Sequence, residues 1–274
     1  MSKNFLRLGL IGKDVSKSDS EKIHKFILGE WGVDCDYARF SVNADDFDGV
    51  MRTLLGDFDG FNVTIPYKRD VFEYVSEIVG DAFECGAVNT VVCADKTGCN
   101  TDGVGFMQML SFAGVEVTGK KVLVLGAGGS GRSTAVALKN AGASVYMYRR
   151  NQAELQEVCE QLKVTPAKSA EEGGFDIVVN CTGVGMHDSE GKSPVSTRAF
   201  IGASVAVDLI YTPKESEFLR LANSQGLQTL NGASMLFFQA YFADCYYLKK
   251  ESNRAEANAL YEKYLEKYEK ETKE

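Results

Sequence analysis

The apolar residues of this chain fall into short runs that alternate with amphipathic segments. Residues 121–125 read Lys-Val-Leu-Val-Leu, and such an unbroken apolar run is typical of a strand that is buried on both faces. Residues 20–31 instead carry apolar side chains at helical spacing, and four of them share one face: Ile23, Phe26, Ile27 and Trp31. The pattern therefore predicts a chain in which strands and helices alternate.

The same criteria predict elements along the whole chain. The predicted strands are residues 6–12, 36–42, 60–65, 87–94, 121–125, 144–148, 175–180 and 205–211. The predicted helices are residues 20–31, 44–55, 71–79, 104–113, 132–138, 152–162 and 233–248. This order predicts the α/β class, with a doubly wound parallel sheet in the second half. The apolar stripe of the Lys/Glu-rich tail favours a docked terminal helix, and a dimer contact is the alternative.

The composition limits the classes of protein to which the chain can belong. Its 274 residues favour two domains, and a net charge of −8 argues against a nucleic-acid partner. No apolar run approaches the roughly 20 residues that span a bilayer, and the first residues lack a signal-peptide core. Seven scattered cysteines without a C-x-x-C pair, and only two histidines, favour reduced thiols and no metal site. We therefore expect a cytoplasmic protein, either a monomer or a homodimer.

A glycine-rich turn follows the apolar strand at residues 121–125. Residues 126–131 read Gly-Ala-Gly-Gly-Ser-Gly, a G-x-G-x-x-G turn, and a segment of helical periodicity begins at Arg132. In this order the turn allows the backbone to approach a pyrophosphate, and the N–H groups at the start of the helix point toward it. The context predicts a Rossmann-like dinucleotide-binding domain, and the alternative is a glycine-rich turn that binds nothing.

The end of the next predicted strand indicates which dinucleotide binds. NAD sites place an acidic residue roughly 20 residues beyond the glycines, where it binds the ribose hydroxyls. This chain has Arg149 and Arg150 there, and no acid before Glu154. Because guanidinium groups bind phosphate oxygens through paired hydrogen bonds, the arginines predict NADP, with Arg150 favoured over Arg149. The alternative is that both are solvated surface charges.

Polar side chains cluster near predicted strand ends in the first part of the chain. The clusters are Asn62, Thr64 and Lys68; Asn89 and Thr90; and Asn100, Thr101 and Asp102. Ligands of α/β sheets bind at the carboxyl ends of strands, and amides and hydroxyls suit a polyhydroxylated substrate. A lysine beside an aspartate can accept the proton of a carbinol while a hydride leaves. Each cluster alone fits turn chemistry, but together with an NADP fold they predict an active site.

Several short motifs extend this interpretation. They are NVTIPYK at residues 62–68, GAVNT at 86–90, NTDG at 100–103, GAGGSGR at 126–132, NCT at 180–182 and MLFFQA at 235–240. In this order they resemble the motifs of the shikimate dehydrogenase family, and the resemblance covers nearly the whole chain. It implies NADP-dependent, reversible reduction of 3-dehydroshikimate to shikimate, a step of chorismate and aromatic amino-acid biosynthesis.

The resemblance also implies roles for individual residues. Lys68 and Asp102 would be the catalytic pair that moves the proton at the C3 oxygen of the substrate. The carboxylate and hydroxyls of the substrate would be bound by Ser18, Ser20, Thr64, Asn89, Tyr211 and Gln239. The cofactor would be lined by Gly126, Gly128, Gly129, Arg149, Arg150, Thr182, Gly232 and Met235.

We predict a substrate domain of residues 1–103, completed by residues 233–274, and a Rossmann-like domain of residues 104–232, with the active site in the cleft between them. The chain departs from the family motifs at residues 12–14, at residues 149–151 and at Glu21, which replaces the proline after S-x-S. An acid at that position opposes an anionic substrate if it points inward, but is favourable in the first turn of a helix.

Three alternatives to a shikimate dehydrogenase stay open. A quinate/shikimate or an aminoshikimate dehydrogenase would use the same scaffold, although Ser18 and Ser20 favour shikimate. A non-catalytic NADP-binding regulator would be expected to lack Lys68 or Asp102, and both are present.

Overall fold

The computed structural model describes residues 4–271 and divides the chain into two compact units. The first unit contains the residues up to Phe112 and those from Leu236 onward, and the second unit is Ala113–Met235. The predicted boundary after residue 103 falls inside a helix of the first unit. The division of roles between a substrate domain and a cofactor domain stays a prediction.

The first unit is built on a mixed sheet. Its strands are β1 (Phe5–Gly12), β2 (Asp34–Ser41), β3 (Gly60–Val63), β4 (Glu77–Ile78), β5 (Thr90–Val92) and β6 (Thr97–Cys99). The helices between them are α1 (Ser20–Glu30), α2 (Phe47–Asp57), α3 (Ala82–Cys85) and α4 (Asp102–Phe112). The strand order is β2-β1-β3-β5-β6-β4; β1 is parallel to β2 and β3, whereas β5 is antiparallel to β3 and β6.

The first strand and helix show how the sequence pattern forms this unit. β1 buries Leu6, Leu8 and Leu10, and α1 buries Ile23 and Phe26 on the face that its spacing predicted. Burial of each such side chain contributes about 1.5–3 kcal/mol. Because β1 packs into the sheet and α1 packs through this face, the loop that joins them is fixed at the carboxyl end of β1.

The predicted helix at residues 71–79 was wrong. The structure has a 3₁₀ helix at Asp70–Tyr74, followed by the short strand β4. The N–H of Ser76 donates to the Lys96 carbonyl at 2.8 Å, and the N–H of Val79 donates to the Gly98 carbonyl at 3.0 Å. Pairing with the hairpin strand therefore satisfies the backbone here, and β-branched residues such as Val79 favour the extended form.

The second unit is a parallel sheet with helices between its strands. Its strands are β7 (Lys121–Leu125), β8 (Ser144–Tyr148), β9 (Thr165–Pro166), β10 (Ile177–Asn180), β11 (Val205–Asp208) and β12 (Gln228–Leu230), and its helices are α5 (Gly129–Asn140), α6 (Gln152–Leu162) and α7 (Glu217–Ser224). The order β12-β11-β10-β7-β8-β9, with every pairing parallel, is the order of the Rossmann fold. The doubly wound sheet is therefore confirmed, although β9, α7 and β12 had not been predicted.

The chain ends in helices α8 (Ala233–Leu248) and α9 (Arg254–Glu271). Tyr264 of α9 contacts Phe237 of α8 and Phe26 of α1, with ring centroids 5.1 Å and 5.2 Å apart. The apolar stripe of the tail is thus a docked face, as predicted. No helix within residues 4–271 is long and apolar enough to cross a membrane.

Candidate active site

The predicted catalytic residues are in direct contact in the first unit. Lys68, which follows the turn after β3, is 7% exposed, and Asp102, the first residue of α4, is 5% exposed. Lys68 Nζ donates to Asp102 Oδ2 at 2.5 Å. Because both charges are withdrawn from water, each depends on the other for compensation, and charge-assisted hydrogen bonds of this kind are strong. The arrangement gives a proton donor and a proton acceptor in a fixed geometry.

Asn89 holds the same carboxylate from its other oxygen. The Nδ2 group of Asn89 donates to Asp102 Oδ1 at 2.7 Å and to Thr101 Oγ1 at 3.0 Å, and its Oδ1 accepts the N–H of Thr101 at 2.8 Å. An amide that is engaged at both ends cannot turn without breaking these bonds. Asp102 is therefore oriented by Lys68 and by Asn89. Thr101 orients the Asn89 amide in turn, a role that the sequence had not indicated.

Gln239 reaches this cluster from α8. Its Oε1 lies 3.4 Å from Asn89 Nδ2 and 3.5 Å from Thr101 Oγ1. The approach depends on Gly105 of α4, where a Cβ would lie 2.7 Å from the backbone nitrogen of Gln239. Sequence reasoning missed Gly105, whose signal is a second glycine three positions after Asp102. The structure thus brings together four predicted site residues: Lys68, Asn89, Asp102 and Gln239.

Thr64 lies opposite Gly12, where β3 and β1 end. A Cβ on Gly12 would lie 2.4 Å from Thr64 Cγ2, so a larger residue would displace the threonine. The N–H of Thr64 donates to the Ile11 carbonyl at 2.9 Å, and its side chain is half-buried. Thr64 therefore lies at the carboxyl edge of the parallel strands, where α/β proteins bind ligands.

The predicted serine pair opens α1. Ser18 Oγ donates to Ser20 Oγ at 3.0 Å, and Ser20 is buried whereas Ser18 is half-buried. Two hydroxyls at the N-terminus of an 11-residue helix suit a carboxylate, because the N–H groups and the dipole of the helix favour an anion there.

The carboxylate of Glu21, which follows the serine pair, forms ion pairs with two basic side chains. It pairs with Lys25 Nζ at 2.8 Å and with Arg39 Nη2 at 3.2 Å. Arg39 Nη1 also donates to the Ser16 carbonyl at 2.7 Å. Of the two arrangements considered from the sequence, the structure has the one in which the acid lies in the first turn of the helix with its charge compensated.

The glycines of the turn in the second unit differ in their surroundings. Some are packed tightly against other backbone atoms, and one faces open space. Gly126 has a φ of +101°, and a Cβ on Gly131 would lie 2.2 Å from the Gly126 carbonyl oxygen, so both positions need glycine. A Cβ on Gly128 would meet nothing within 4 Å. Gly129 begins α5, whose first N–H groups have no partner inside the helix. The residues present therefore fit a pyrophosphate, since the turn is tight on its protein side and open at Gly128.

The two predicted phosphate-binding arginines differ in their surroundings. Arg149, at the end of β8, forms an ion pair with Glu154 and is half-buried. Arg150 is exposed, and no residue in the described part of the chain pairs with it. Asn151 accepts the N–H of Glu154 and caps α6. Arg150 is thus the guanidinium that a ligand phosphate can engage without breaking an existing pair.

Thr182 is held by a buried polar network at the end of β10. Its hydroxyl donates to Asn180 Oδ1 at 2.6 Å, and Asn180 Nδ2 donates to Asp208 Oδ1 at 3.0 Å. The same carboxylate accepts the Ser216 hydroxyl at 2.5 Å and the Ile210 N–H at 3.0 Å. Burial raises the pKa of Asp208 to about 6, and the hydrogen bonds from its neutral donors oppose this rise only in part. Sequence reasoning had missed Asp208.

The remaining predicted residues follow β11 and β12. Tyr211 is half-buried. A Cβ on Gly232 would lie 2.0 Å from the Leu209 carbonyl oxygen, which makes glycine necessary there. Met235 is 7% exposed, in the first turn of α8. None of the residues that the structure describes forms a cluster able to hold a metal ion.

A Rossmann-like unit with an open glycine turn and a buried lysine–aspartate pair together define a dinucleotide-dependent oxidoreductase. Residues 10–91 match the family model for the shikimate dehydrogenase substrate binding domain. The chain is 36% identical over 241 residues to the shikimate dehydrogenase (NADP(+)) of Clostridium botulinum strain Loch Maree, which covers 86% of this chain and 93% of that protein. The chain belongs to the shikimate dehydrogenase family.

Solved structures agree with this membership. A chorismate mutase/shikimate 5-dehydrogenase fusion protein from Clostridium acetobutylicum is similar with a TM-score of 0.87 and 34% identity, over 96% of this chain and 98% of that one. The shikimate 5-dehydrogenase of Thermus thermophilus, solved in complex with NADP(H) and shikimate, is similar with a TM-score of 0.85 and 30% identity, over 93% of this chain and 98% of that one.

Proposed function

We propose that this protein catalyses the NADP-dependent, reversible reduction of 3-dehydroshikimate to shikimate, a step of chorismate and aromatic amino-acid biosynthesis. The observation that carries the proposal is the buried ion pair of Lys68 and Asp102, oriented by Asn89, in a chain that also has a dinucleotide turn. Relatives that are 33–36% identical over most of the chain are shikimate dehydrogenases (NADP(+)), which supports both the substrate and the cofactor.

The proton is moved by the lysine–aspartate pair. NADP⁺, held by the glycine turn and the arginines of the second unit, would supply the acceptor for the hydride of the carbinol carbon. Lys68 and Asp102 accept the proton that the hydroxyl loses and return it in the reverse direction. Asn89 and Thr101 keep the carboxylate aligned with the lysine, so that little reorganisation is needed during transfer. The pair thus supplies the acid and the base of a reversible reaction.

The other first-unit residues bind and orient the substrate in this proposal. Ser18 and Ser20 donate to its carboxylate at the N-terminus of α1. Thr64, Asn89 and Gln239 hold its hydroxyls, because their amides and hydroxyls can both donate and accept. We also assign Tyr211 of the second unit to the substrate, as the family resemblance implies.

The second unit binds the cofactor. Gly126, Gly128 and Gly129 form the turn that approaches the pyrophosphate. Arg150 binds the additional phosphate that distinguishes NADP from NAD, and Arg149 assists it. Thr182, Gly232 and Met235 line the remaining part of the cofactor site.

The proposed partner is a small hydroxy acid, and not a nucleic acid, since the chain is acidic. We propose a cytoplasmic protein that is a monomer or a homodimer. Sedimentation of the purified protein measures the oligomeric state, and a stable assembly larger than a dimer contradicts that part of the proposal.

The first experiment is NADPH formation by the purified protein with shikimate and NADP⁺, run in parallel with quinate and with NAD⁺. Turnover confined to shikimate and NADP⁺ supports the proposal in full. Comparable turnover with quinate or NAD⁺ indicates a broader quinate/shikimate enzyme. Absence of turnover in every combination, with NADP⁺ still bound, contradicts the proposal and favours a regulator.

A further inference from the structure

The first unit contains another buried pair of polar side chains, which the proposed mechanism does not use. His24 Nδ1 and Asp244 Oδ1 are 2.6 Å apart, and both side chains are 0% exposed. Within the described residues, His24 Nε2 and Asp244 Oδ2 have no hydrogen-bond partner. Burial raises the pKa of Asp244, and the imidazole opposes this rise. Because two apolar side chains of similar volume would avoid the cost of desolvation, the pair calls for an explanation other than stability.

The pair forms the support on which Tyr37 packs. The rings of His24 and Tyr37 are stacked, with centroids 5.0 Å apart and an interplanar angle of 20°. Since Asp244 holds Nδ1, the imidazole cannot turn without losing that hydrogen bond. Tyr37 therefore packs on an imidazole ring whose orientation is fixed by Asp244, which lies 220 residues further along the chain.

The hydroxyl of Tyr37 contacts an asparagine of the sheet. It donates to Asn62 Oδ1 at 3.1 Å. Ser20 lies one helical turn before His24, so both residues belong to helix α1. A shift of the His24 ring would displace Tyr37 relative to both Ser20 and Asn62.

Hydrogen bonds continue from Asn62 to the catalytic pair. Asn62 Nδ2 donates to Thr90 Oγ1 at 3.2 Å, and Thr90 Oγ1 donates to Asn89 Oδ1 at 2.9 Å. Asn89 in turn holds Asp102. A continuous set of buried polar contacts therefore leads from Tyr37 to the carboxylate that contacts Lys68, and such networks transmit changes in geometry. Ser20 is linked to this set through α1, because it shares that helix with the His24 ring on which Tyr37 packs.

We propose that His24 and Asp244 are positioning residues that fix Tyr37 against α1, and so align the serine pair at the start of that helix with the catalytic pair for binding of the hydroxy acid. The inference rests on the proposed function. It requires that the polar contact between His24 and Asp244, and not only the packing of their side chains, sets the affinity for substrate.

The test compares an apolar replacement with a polar one. The double variant His24→Phe/Asp244→Leu keeps a ring against Tyr37 and removes both buried polar groups, so it is expected to fold. We expect its KM for shikimate to rise about fivefold to tenfold, the effect of one misplaced hydrogen bond, with the KM for NADP⁺ unchanged. Asp244→Asn keeps an oxygen that accepts from Nδ1 and should stay within about twofold of the wild type.

Coupling to Tyr37 distinguishes positioning from general stability. Tyr37→Phe alone should raise the KM for shikimate, and the apolar double replacement should add nothing in that background. If the effects instead multiply, or if the folded double variant keeps the KM of the wild type, the proposal is wrong. Tyr247→Phe is the matched control, because it removes a buried hydroxyl that has no hydrogen-bond partner among the described residues, on a ring that also lies beside His24, and it should leave every KM unchanged.

A second readout needs no substrate. The side-chain amide resonance of Asn62 should shift in the double variant as it does in Tyr37→Phe, and should stay in place in Tyr247→Phe. An unmoved Asn62 amide in the double variant contradicts the positioning role even if the wild type does not oxidise shikimate. Absence of wild-type turnover together with a shifted amide contradicts only the proposed function.

Discussion

The candidate sites of the two units are built in opposite ways. In the first unit, Lys68, Asn89 and Asp102 are buried and bonded to one another. In the second unit, Gly128 and Arg150 are exposed. A closed set of contacts keeps reacting groups in one geometry, which proton transfer requires. An open turn suits a ligand that brings its own negative charges. We therefore expect substitutions in the first unit to change the rate of the chemical step, and substitutions in the second unit to change the affinity for the cofactor.

The largest effect is expected from Lys68→Met, which keeps the length of the side chain and removes its charge. We expect kcat with shikimate to fall about 10²- to 10⁴-fold, because the group that exchanges the proton of the substrate hydroxyl is removed. The affinity for NADP⁺ should stay unchanged. Steady-state kinetics and cofactor titration measure the two quantities.

The control for this variant is Lys249→Met, at an exposed lysine paired with Asp95. It should keep the kinetics of the wild type. If Lys68→Met kept the kcat of the wild type, the lysine–aspartate pair would not take part in the mechanism. The proposed difference between the two units would then be wrong.

Each of the two sites contains a buried aspartate, and the two carboxyl groups have different partners. Asp102 faces a lysine, whereas Asp208 faces neutral donors, and burial raises the pKa of Asp208 from its ordinary 3.8 to about 6. The folded state thus favours the protonated form. The contribution of this carboxyl to stability is fully present below about pH 4 and is lost as the pH rises through about 6. Asp208→Asn, which does not ionise, should therefore gain about 3 kcal/mol relative to the wild type between about pH 4 and pH 7.

Urea unfolding of both proteins at the two pH values measures this difference. Asp95→Asn is the control of opposite sign, because the hydrogen bond from Lys249 lowers the pKa of Asp95. Its stabilising contribution is present at neutral pH and is lost on acidification. A free-energy gap between wild type and Asp208→Asn that does not vary with pH would show that Asp208 keeps an ordinary pKa.

Local pattern was enough to predict the parts of the site that lie near one another in sequence. The strand, glycine turn and helix at residues 121–140 are such a case, and so are Asn89 and Asp102, which two neighbouring hairpin strands bring together. Local pattern did not predict contacts between residues that are far apart in the sequence, and Gln239 was expected in the site only from the family resemblance. Gln239 meets Asn89 across 150 residues, and Asp244 meets His24 across 220. The helix predicted at residues 71–79 was wrong for a related reason, since the carbonyls that accept from its backbone belong to Lys96 and Gly98, outside the segment whose pattern was considered.

The glycine turn offers a pair of matched substitutions with a smaller effect. Gly131→Ala places a Cβ 2.2 Å from a backbone oxygen, and should destabilise the protein by about 1–3 kcal/mol. Gly128→Ala meets no protein atom within 4 Å and should leave the Tm unchanged, yet weaken NADP⁺ binding, because the added methyl group occupies the open face. Thermal unfolding and cofactor titration separate the two outcomes. Equal NADP⁺ affinity in Gly128→Ala and the wild type would mean that the pyrophosphate does not approach this face.

The smallest expected effect concerns the choice between NADP and NAD. Arg150 is exposed and unpaired among the described residues, so binding of a phosphate there breaks no existing ion pair, whereas Arg149 must be shared with Glu154. Arg150→Ala should raise the KM for NADP⁺ about tenfold, near the lower end for a charged hydrogen bond at an exposed position, and should leave the KM for NAD⁺ unchanged. Arg149→Ala should have a weaker effect. A larger loss of NADP⁺ affinity in Arg149→Ala than in Arg150→Ala would contradict this prediction. It would mean that the Arg149–Glu154 ion pair opens when the cofactor binds, so that the site is not preformed for the phosphate.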